Sequence, residues 1–432
     1  MIKRKGISRR RFLKNATGIT AGAIAFPYIV SSSALGNAGN VAASNRIVMG
    51  CIGMGGMGTG DMRGFLSKKE VQVVAVCDVD KSQRDKAKKN VDEKYKNNDC
   101  KTYLDFREVI ACDDIDSLSL AMPDHWHSIP AVMGAAAGKD IHAQKPLART
   151  IAEGRAICDA VKRYGIIWQT GSQQRSERDF HRACELVRNG RIGKVTRVEV
   201  GLPTGGGSDN KPIQPVPEGV DWDFWLGPAP WVPYRGIMHW DWRWMMDYSG
   251  GQLTDWAGHH IDIAHWGLDV ERTGPVEIEG SGVYPRDGIY DVPMEYKFTC
   301  KYANGVVMTV ANNKQIPQGT KWYGESGKWI YVKRGKLDAN PASILKEVIG
   351  PDEIKLYRSR DHRQNFLDCI KSRKETIAPA EIGHRSISIG LLGEIAMLTE
   401  KKLQWDPDKE IFLNNEQANR MLSRPMRSPW HL

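Results

Sequence analysis

Two short apolar runs, residues 46–52 (Arg-Ile-Val-Met-Gly-Cys-Ile) and 71–77 (Val-Gln-Val-Val-Ala-Val-Cys), read as strands flanking a helix. The alternation continues: a helix over 84–95, a strand at 117–121, a helix over 129–137, a strand at 140–143, a helix through 151–164 and a last strand at 166–168. Strands alternating with helices demand a parallel sheet covered by helices on both faces. Beyond residue 169 the pattern changes. Residues 195–201, 276–283, 294–301 and 305–312 show longer alternating strands, with turn residues such as Ala303-Asn304-Gly305. That predicts an open, mainly antiparallel sheet with one face free for helices or a partner subunit. Helical stretches at 363–372 and 385–400 are expected to pack back across the domains. The reading is α/β: a doubly wound parallel-sheet domain over 45–168, an α+β domain over 169–345, and a C-terminal helical segment over 346–432.

The turn after the first strand is Gly53-Met54-Gly55-Gly56-Met57-Gly58, and Asp78 closes the second strand. A strand, a G-x-G-x-x-G turn, a helix, a strand and a terminal acid form the Rossmann dinucleotide-binding fingerprint. Gly53 permits the tight turn, Gly55 lets backbone N–H groups approach a pyrophosphate, and Gly58 lets helix and strand pack closely. Gly56 and Met57 lie at the helix N-terminus, where unpaired N–H groups and the helix dipole favour an anion. Asp78 accepts a hydrogen bond from a ribose 2′-hydroxyl and repels a 2′-phosphate, which favours NAD over NADP.

Residues 1–40 stand apart. Ser8-Arg9-Arg10-Arg11-Phe12-Leu13-Lys14 is a twin-arginine pattern, followed by a mildly apolar run and small residues, which together make an export signal. A periplasmic protein is expected, touching the membrane only if the signal stays uncleaved. The chain's +10 charge includes seven Lys or Arg in this segment and no acid, so the remainder carries only +3. That is an ordinary mixed surface and no nucleic-acid signature. Outside the inner membrane there is no free nicotinamide pool, so the cofactor is expected to be held tightly and recycled on the enzyme. The eight cysteines suggest no disulfide framework: Cys51 and Cys77 fall in predicted strands, and Cys158, Cys184 and Cys369 in predicted helices.

Three constellations carry candidate chemistry. Met122-Pro123-Asp124-His125-Trp126-His127 and Ala143-Gln144-Lys145-Pro146 both follow predicted strands, where the cofactor crevice of a doubly wound sheet opens. In the first, Pro123, Asp124 and His127 are assigned to the cofactor and His125 and Trp126 to the substrate; in the second, Lys145 faces the nicotinamide. The third runs Ser249-Gly250-Gly251-Gln252-Leu253-Thr254-Asp255-Trp256-Ala257-Gly258-His259-His260-Ile261-Asp262. On a helix Asp255 and His259 share a face and Asp262 lies close to it. An Asp beside a His orients the ring and supports its charged form, as an acid–base catalyst needs. A metal set of Asp255, His259, His260 and His265 is disfavoured, because adjacent histidines point to different faces.

These motifs resemble those of the Gfo/Idh/MocA oxidoreductases, over essentially the whole chain after the signal. The family's E-K-P motif matches Gln144-Lys145-Pro146, and its G-G-G-x-L-x-D-x-G-x-H-x-x-D motif matches residues 249–262. The resemblance implies that Lys145, Asp255 and His259 form the catalytic triad: His259 takes the hydroxyl proton, Lys145 and Asp255 polarise and position, and a hydride passes to the nicotinamide. It implies a homodimer or homotetramer as well. Gln144 stands where the family has Glu, Ser249 replaces the first Gly, and Gly258 shifts a glycine by one place.

Eight of the fourteen tryptophans fall between Trp222 and Trp266. Tryptophan faces stack on sugar C–H faces, and flanking polar groups bind hydroxyls. Trp242, Arg243, His260 and Asp262 are accordingly assigned to the substrate, and Arg175, after the last parallel strand, to the cofactor edge. The expected activity is NAD-dependent oxidation or reduction of a hydroxyl on a sugar, glycoside or polyol. The alternative on the same site is redox-neutral glycoside cleavage through a transient keto-sugar.

Overall fold

Strands β1 (Ile47–Ile52) and β2 (Val71–Cys77) pair in parallel at the centre of the first sheet, with helix α1 (Gly56–Leu66) between them. The computed structural model describes residues 41–42, 45–207 and 209–432, so the export signal lies outside the described residues. The unit continues through α2 (Lys81–Tyr95), β3 (Lys101–Tyr103), α3 (Phe106–Ile110), β4 (Ser117–Leu120), α4 (Ser128–Ala136), β5 (Asp140–Ala143), α5 (Ile151–Tyr164) and β6 (Trp168–Thr170). The six strands are ordered β3-β2-β1-β4-β5-β6, and every pairing is parallel.

Local chemistry sets these boundaries. Asp80 caps α2 by accepting the Ser82 N–H, Thr150 caps α5 by accepting the Glu153 N–H, and Gly165 ends α5 at φ +64°. Two details differ from the sequence expectation. Strand β3 is a three-residue edge strand with two exposed side chains, and carries no apolar pattern to announce it. The last strand begins at Trp168, two residues later than expected.

The second layer begins with α6 (Arg178–Arg188), β7 (Val195–Leu202) and α7 (Trp222–Leu226). Helices α8 (Gly251–Trp256) and α9 (Asp262–Leu268) flank a π-helical turn at Ala257–Ile261. Strands β8 (Glu277–Val283), β9 (Glu295–Lys301), β10 (Val307–Asn312), β11 (Gly319–Gly324), β12 (Trp329–Lys333) and β13 (Lys336–Asn340) follow. After α10 (His362–Ser372) and α11 (Ala380–Thr399) come β14 (Leu403–Asp406) and β15 (Ile411–Phe412). The nine-stranded sheet is ordered β13-β12-β11-β7-β10-β9-β8-β14-β15, antiparallel except for the β7–β10 pair. The segment beyond residue 346 thus supplies strands as well as helices. Helix α11 is buried almost all round and packs against β8, α5 and the π-helical turn. Its apolar residues circle the helix because both layers cover it. All eight cysteines are free, seven of them buried.

Candidate functional site

The cleft opens at the carboxyl ends of β1, β2, β4 and β5, and is lined by Gly53, Gly55, Gly56, Met57, Asp78, Pro123, Asp124, Trp126, Gln144, Lys145, Trp242, Arg243 and Asp255 among others. Gly53 sits at φ +82°, and a Cβ there would lie 2.7 Å from the Ala121 carbonyl. A Cβ on Gly58 would lie 1.7 Å from the Gly53 carbonyl oxygen, so helix α1 packs on the turn only because position 58 is glycine. Around Gly55 and Gly56 the space is open, with no atom within 4 Å of a Cβ built on either. Two glycines facing a cleft from a helix N-terminus, with room beside them, fit a dinucleotide pyrophosphate.

Asp78 follows β2 directly and lines the same cleft. Its Oδ2 accepts the Met54 N–H at 2.6 Å and its Oδ1 accepts the Asp80 N–H at 2.9 Å. Burial raises the carboxyl above its ordinary range, and those two backbone donors partly offset the shift. The Arg84 guanidinium donates to the Asp78 carbonyl. His239, Met238 and Gln83 also line the cleft.

Lys145 Nζ donates to Asp255 Oδ1 at 2.5 Å and to the Asp255 carbonyl at 3.2 Å. A Cβ on Gly258 would come within 3.0 Å of Lys145 Cβ, so the displaced glycine of the motif is what admits the lysine. Burial alone would raise the Asp255 carboxyl; the Lys145 ammonium, with Arg243 and Arg334, holds it below its usual value. Asp124 accepts the Ser249 hydroxyl at 2.6 Å, so the serine that replaces a family glycine anchors the 122–127 loop. Burial raises the Asp124 carboxyl, against the lowering influence of His127 and Ser249. Gln144 Nε2 donates to Asp61 at 2.6 Å, in the place the family gives to a glutamate.

His259 departs from the expected geometry. It lies in the π-helical turn, not in a regular α-helix, and it does not bond to Asp255. Its Nε2 faces an Arg334 guanidinium nitrogen at 3.2 Å, and Trp256 meets the ring edge-on at 5.3 Å. Arginine only donates, so Nε2 carries the lone pair and the ring proton sits on Nδ1, which is buried without a partner. Burial, then Lys145 and Arg334, push the imidazole pKa well below its ordinary value. The ring is therefore a neutral base, and the expectation of a carboxylate-supported imidazolium is corrected.

Five other assigned residues are placed in structural roles. Arg175 is buried, bonded to Asp262 at 2.7 and 2.9 Å and to Glu271 at 3.1 Å; it does not reach the cofactor cleft. Asp262 is taken up by Arg175 and the Ser386 hydroxyl, not by the cleft. His260 stacks on Trp256 with 5.3 Å between centroids, and burial lowers its pKa to about 3. His125 is fully buried with Nε2 against the Trp225 carbonyl at 3.0 Å. His127 bridges the Pro146 and Met122 carbonyls at 2.6 and 2.7 Å and so ties the two strand-end loops together. Trp126, Trp242 and Arg243 do line the cleft.

Arg334 was not legible in advance. It occupies the β12–β13 turn, where a Lys-Arg-Gly sequence reads as a solvated hairpin tip. With the Gln174 amide oriented to satisfy both neighbours, its nitrogen donates to the His259 carbonyl and its oxygen accepts from Arg334 Nε, both at 3.1 Å.

Comparison with known proteins agrees with this architecture. Residues 47–172 match the Gfo/Idh/MocA model described as oxidoreductase family, NAD-binding Rossmann fold. Residues 181–432 match the model described as oxidoreductase family, C-terminal alpha/beta domain. An alpha-N-acetylgalactosaminidase from Shewanella oneidensis is 27% identical over 211 residues, 45% of each chain. A levoglucosan dehydrogenase from Pseudarthrobacter phenanthrenivorans is 29% identical over 164 residues, 38% of this chain and 35% of that protein. The matched region spans less than half the length of these curated relatives. The WlbA dehydrogenase from Bordetella pertussis, solved with NADH and UDP-GlcNAcA, shares the fold at TM-score 0.62 and 15% identity, over 84% of this chain and 99% of that one.

Proposed function

The chain belongs to the Gfo/Idh/MocA oxidoreductase family, and from that premise we propose that it oxidises or reduces a hydroxyl of a sugar, glycoside or polyol with a tightly held NAD recycled on the enzyme. The observation that carries the reading is the Lys145–Asp255 pair standing in the same cleft as the open Gly55-Gly56 cradle. Gly55, Gly56 and Met57 would hold the pyrophosphate and Asp78 the adenosine ribose. Bound there, the nicotinamide supplies hydride acceptance from the substrate's carbinol carbon. The chain's own residues do the rest. The Lys145 ammonium, fixed by Asp255, hydrogen-bonds the reacting oxygen and stabilises the negative charge that develops on it. Neutral His259 accepts the hydroxyl proton at Nε2 once the substrate hydroxyl takes the place of the Arg334 guanidinium.

Absorbance of the purified protein, recorded without added cofactor before and after glycosides and polyols, tests this. Bound nicotinamide becoming reduced with one sugar class supports the reading; a protein that neither carries nor takes up nicotinamide refutes it. The match to an alpha-N-acetylgalactosaminidase favours a second reading, redox-neutral glycoside cleavage. In that case aglycone appears while reduced nicotinamide never accumulates. Export by the twin-arginine route and assembly as a homodimer or homotetramer complete the proposal. Replacing Arg9, Arg10 and Arg11 with Lys is expected to retain the protein in the cytoplasm, and sedimentation gives the subunit number.

A further inference from the structure

Three cations, Lys145, Arg243 and Arg334, hold the Asp255 carboxyl down, and only one of them is ion-paired with it. Lys145 makes the pair at 2.5 Å. Arg243 and Arg334 both act on the Asp255 carboxylate, yet among the described residues neither forms an ion pair with any carboxylate. Arg243 lines the cleft with its guanidinium carbon 4.3 Å from the Trp240 ring centroid and 4.4 Å from that of Trp242. Its Nε is buried without a hydrogen-bond partner. Arg334 reaches in from the β12–β13 turn, over Trp256 at 5.0 Å, to the proton-accepting nitrogen of His259. The other acids nearby form no ion pair with either arginine: Asp124 accepts the Ser249 hydroxyl, and the exposed Glu177 senses Arg334 without pairing with it.

Two unpaired guanidiniums beside a reaction centre, one of them clamped by two tryptophans and short of an acceptor, form a receptor for an anion. Dinucleotide phosphates are the obvious candidate, but their cradle at Gly55 and Gly56 needs no arginine. Arg243 acts on Asp255 and Asp124, at the Lys145 end of the cleft. We propose that the saccharide substrate is itself anionic, carrying a carboxylate or a sulfate ester held by Arg243 and, once displaced from His259, by Arg334. The proposal rests on the saccharide reading given above and narrows its substrate class. Binding the anion draws Arg334 from His259 Nε2, so the group that recognises the substrate also uncovers the base.

The test titrates the nicotinamide-loaded protein with glucuronate, glucose 6-sulfate and glucose, following tryptophan fluorescence and calorimetric heat. At least one acidic sugar is expected to bind tenfold or more tightly than glucose; glucuronate or the sulfate ester alone tells which anion is read. Arg243→Ala and Arg334→Ala are each expected to shrink that margin at least fivefold while nicotinamide retention stays constant, and Arg243→Lys to recover part of it. Equal binding of glucose and both acidic sugars by the unmodified protein overturns the proposal without reference to any variant, and leaves the oxidoreductase reading standing if nicotinamide is retained. Loss of nicotinamide from Arg243→Ala with the sugar preference intact also overturns it, by assigning the guanidinium to the cofactor. A protein that takes up no nicotinamide overturns both readings together.

Discussion

Lys145 and Asp255, 110 residues apart in sequence, close a 2.5 Å ion pair that joins the carboxyl end of β5 to helix α8. The pair is mostly buried, with side-chain exposures of 12% and 19%, so each partner depends on the other for compensation. Lys145→Met is expected to lower turnover by about 10²- to 10⁴-fold. It should also cost up to about 3 kcal/mol of stability at neutral pH, because Asp255 loses its ion-pair partner and keeps only the influence of Arg243 and Arg334, neither of which pairs with it. Urea unfolding of Lys145→Met against Lys145→Met/Asp255→Asn separates the effects. The second change should restore most of the stability and none of the activity; equal instability of both variants would rule out the charge argument.

The glycine turn makes a prediction that distinguishes ligand space from packing space. Gly55→Ala adds a methyl where nothing lies within 4 Å, at a φ of −65° open to any residue. Folding should change by less than about 0.5 kcal/mol, while NAD affinity falls at least tenfold. Gly58→Ala puts a carbon against the Gly53 carbonyl oxygen and should unfold the first layer. Gly60→Ala, in open space within α1, should stabilise by up to about 1 kcal/mol. Thermal melts and NAD titrations of the three proteins check the ordering.

The parallel sheet was legible because buried apolar strands bounded by helices leave a strong pattern, and the ends of α5 and β5 fall where capping residues and periodicity put them. That Lys145, Asp255 and the Gly-rich turn line one cleft was legible because their local sequence is tied to a backbone geometry. The roles of His125, His127, His260, Asp262 and Arg175 were not. A histidine or arginine in a motif looks the same whether its partner is a ligand or a group on another element, and the hydrogen-bonding partners lie 5 to 124 residues away. The π-helical turn was hidden for a similar reason: Ala257–Ile261 has an ordinary helical composition, and tertiary packing decides its winding. Arg334 is the extreme case, an exposed hairpin residue whose importance comes wholly from what the hairpin touches.

Acid stability follows from the buried histidines. Burial lowers His125, His260, His265 and His362 to about 3 in the folded protein. The unfolded chain binds protons at these sites below about pH 6.5. Between that pH and the folded values the unfolded state holds more protons, so stability falls as pH falls. Glu381, lowered to about 2 against the pull of burial by Arg155 and Arg385, adds a loss of the same sign below its unfolded value. The raised carboxyls of Asp78 and Asp124 oppose it, since the folded state then binds the extra proton. The histidines outnumber them and act at higher pH. The urea midpoint should therefore drop between pH 6.5 and 5, with an uptake of at least three protons on unfolding. A flat midpoint over that interval would show these rings to be charged in the folded protein.

Activity should follow a different group. His259 is neutral in the fold, so the acid limb of kcat/KM should lie well below pH 6.5. Arg334→Ala removes a nearby positive charge and should move that limb upward, though not fully to 6.5, because burial is the largest cause of the shift. His259→Ala should abolish the limb along with most of the turnover. A limb unmoved by both changes would assign the titration, and the proton transfer, to another residue.

Cofactor choice turns on Asp78. Both its oxygens already accept backbone N–H groups, from Met54 and Asp80, so the carboxylate shapes the glycine turn as well as lining the cleft where the ribose is proposed to bind. Asp78→Asn leaves an amide nitrogen opposite one of these donors. It should weaken NAD by about 10- to 100-fold, the equivalent of a charged hydrogen bond of about 1.5–3 kcal/mol. Asp78→Ala removes the charge that repels a 2′-phosphate and leaves Arg84, whose guanidinium already reaches the Asp78 carbonyl, as the nearest cation. Its NAD-to-NADP affinity ratio should fall at least tenfold, through loss on NAD and gain on NADP. If NAD and NADP weaken in equal proportion, Asp78 serves only to hold the turn, and discrimination between the two cofactors must come from another part of the cleft.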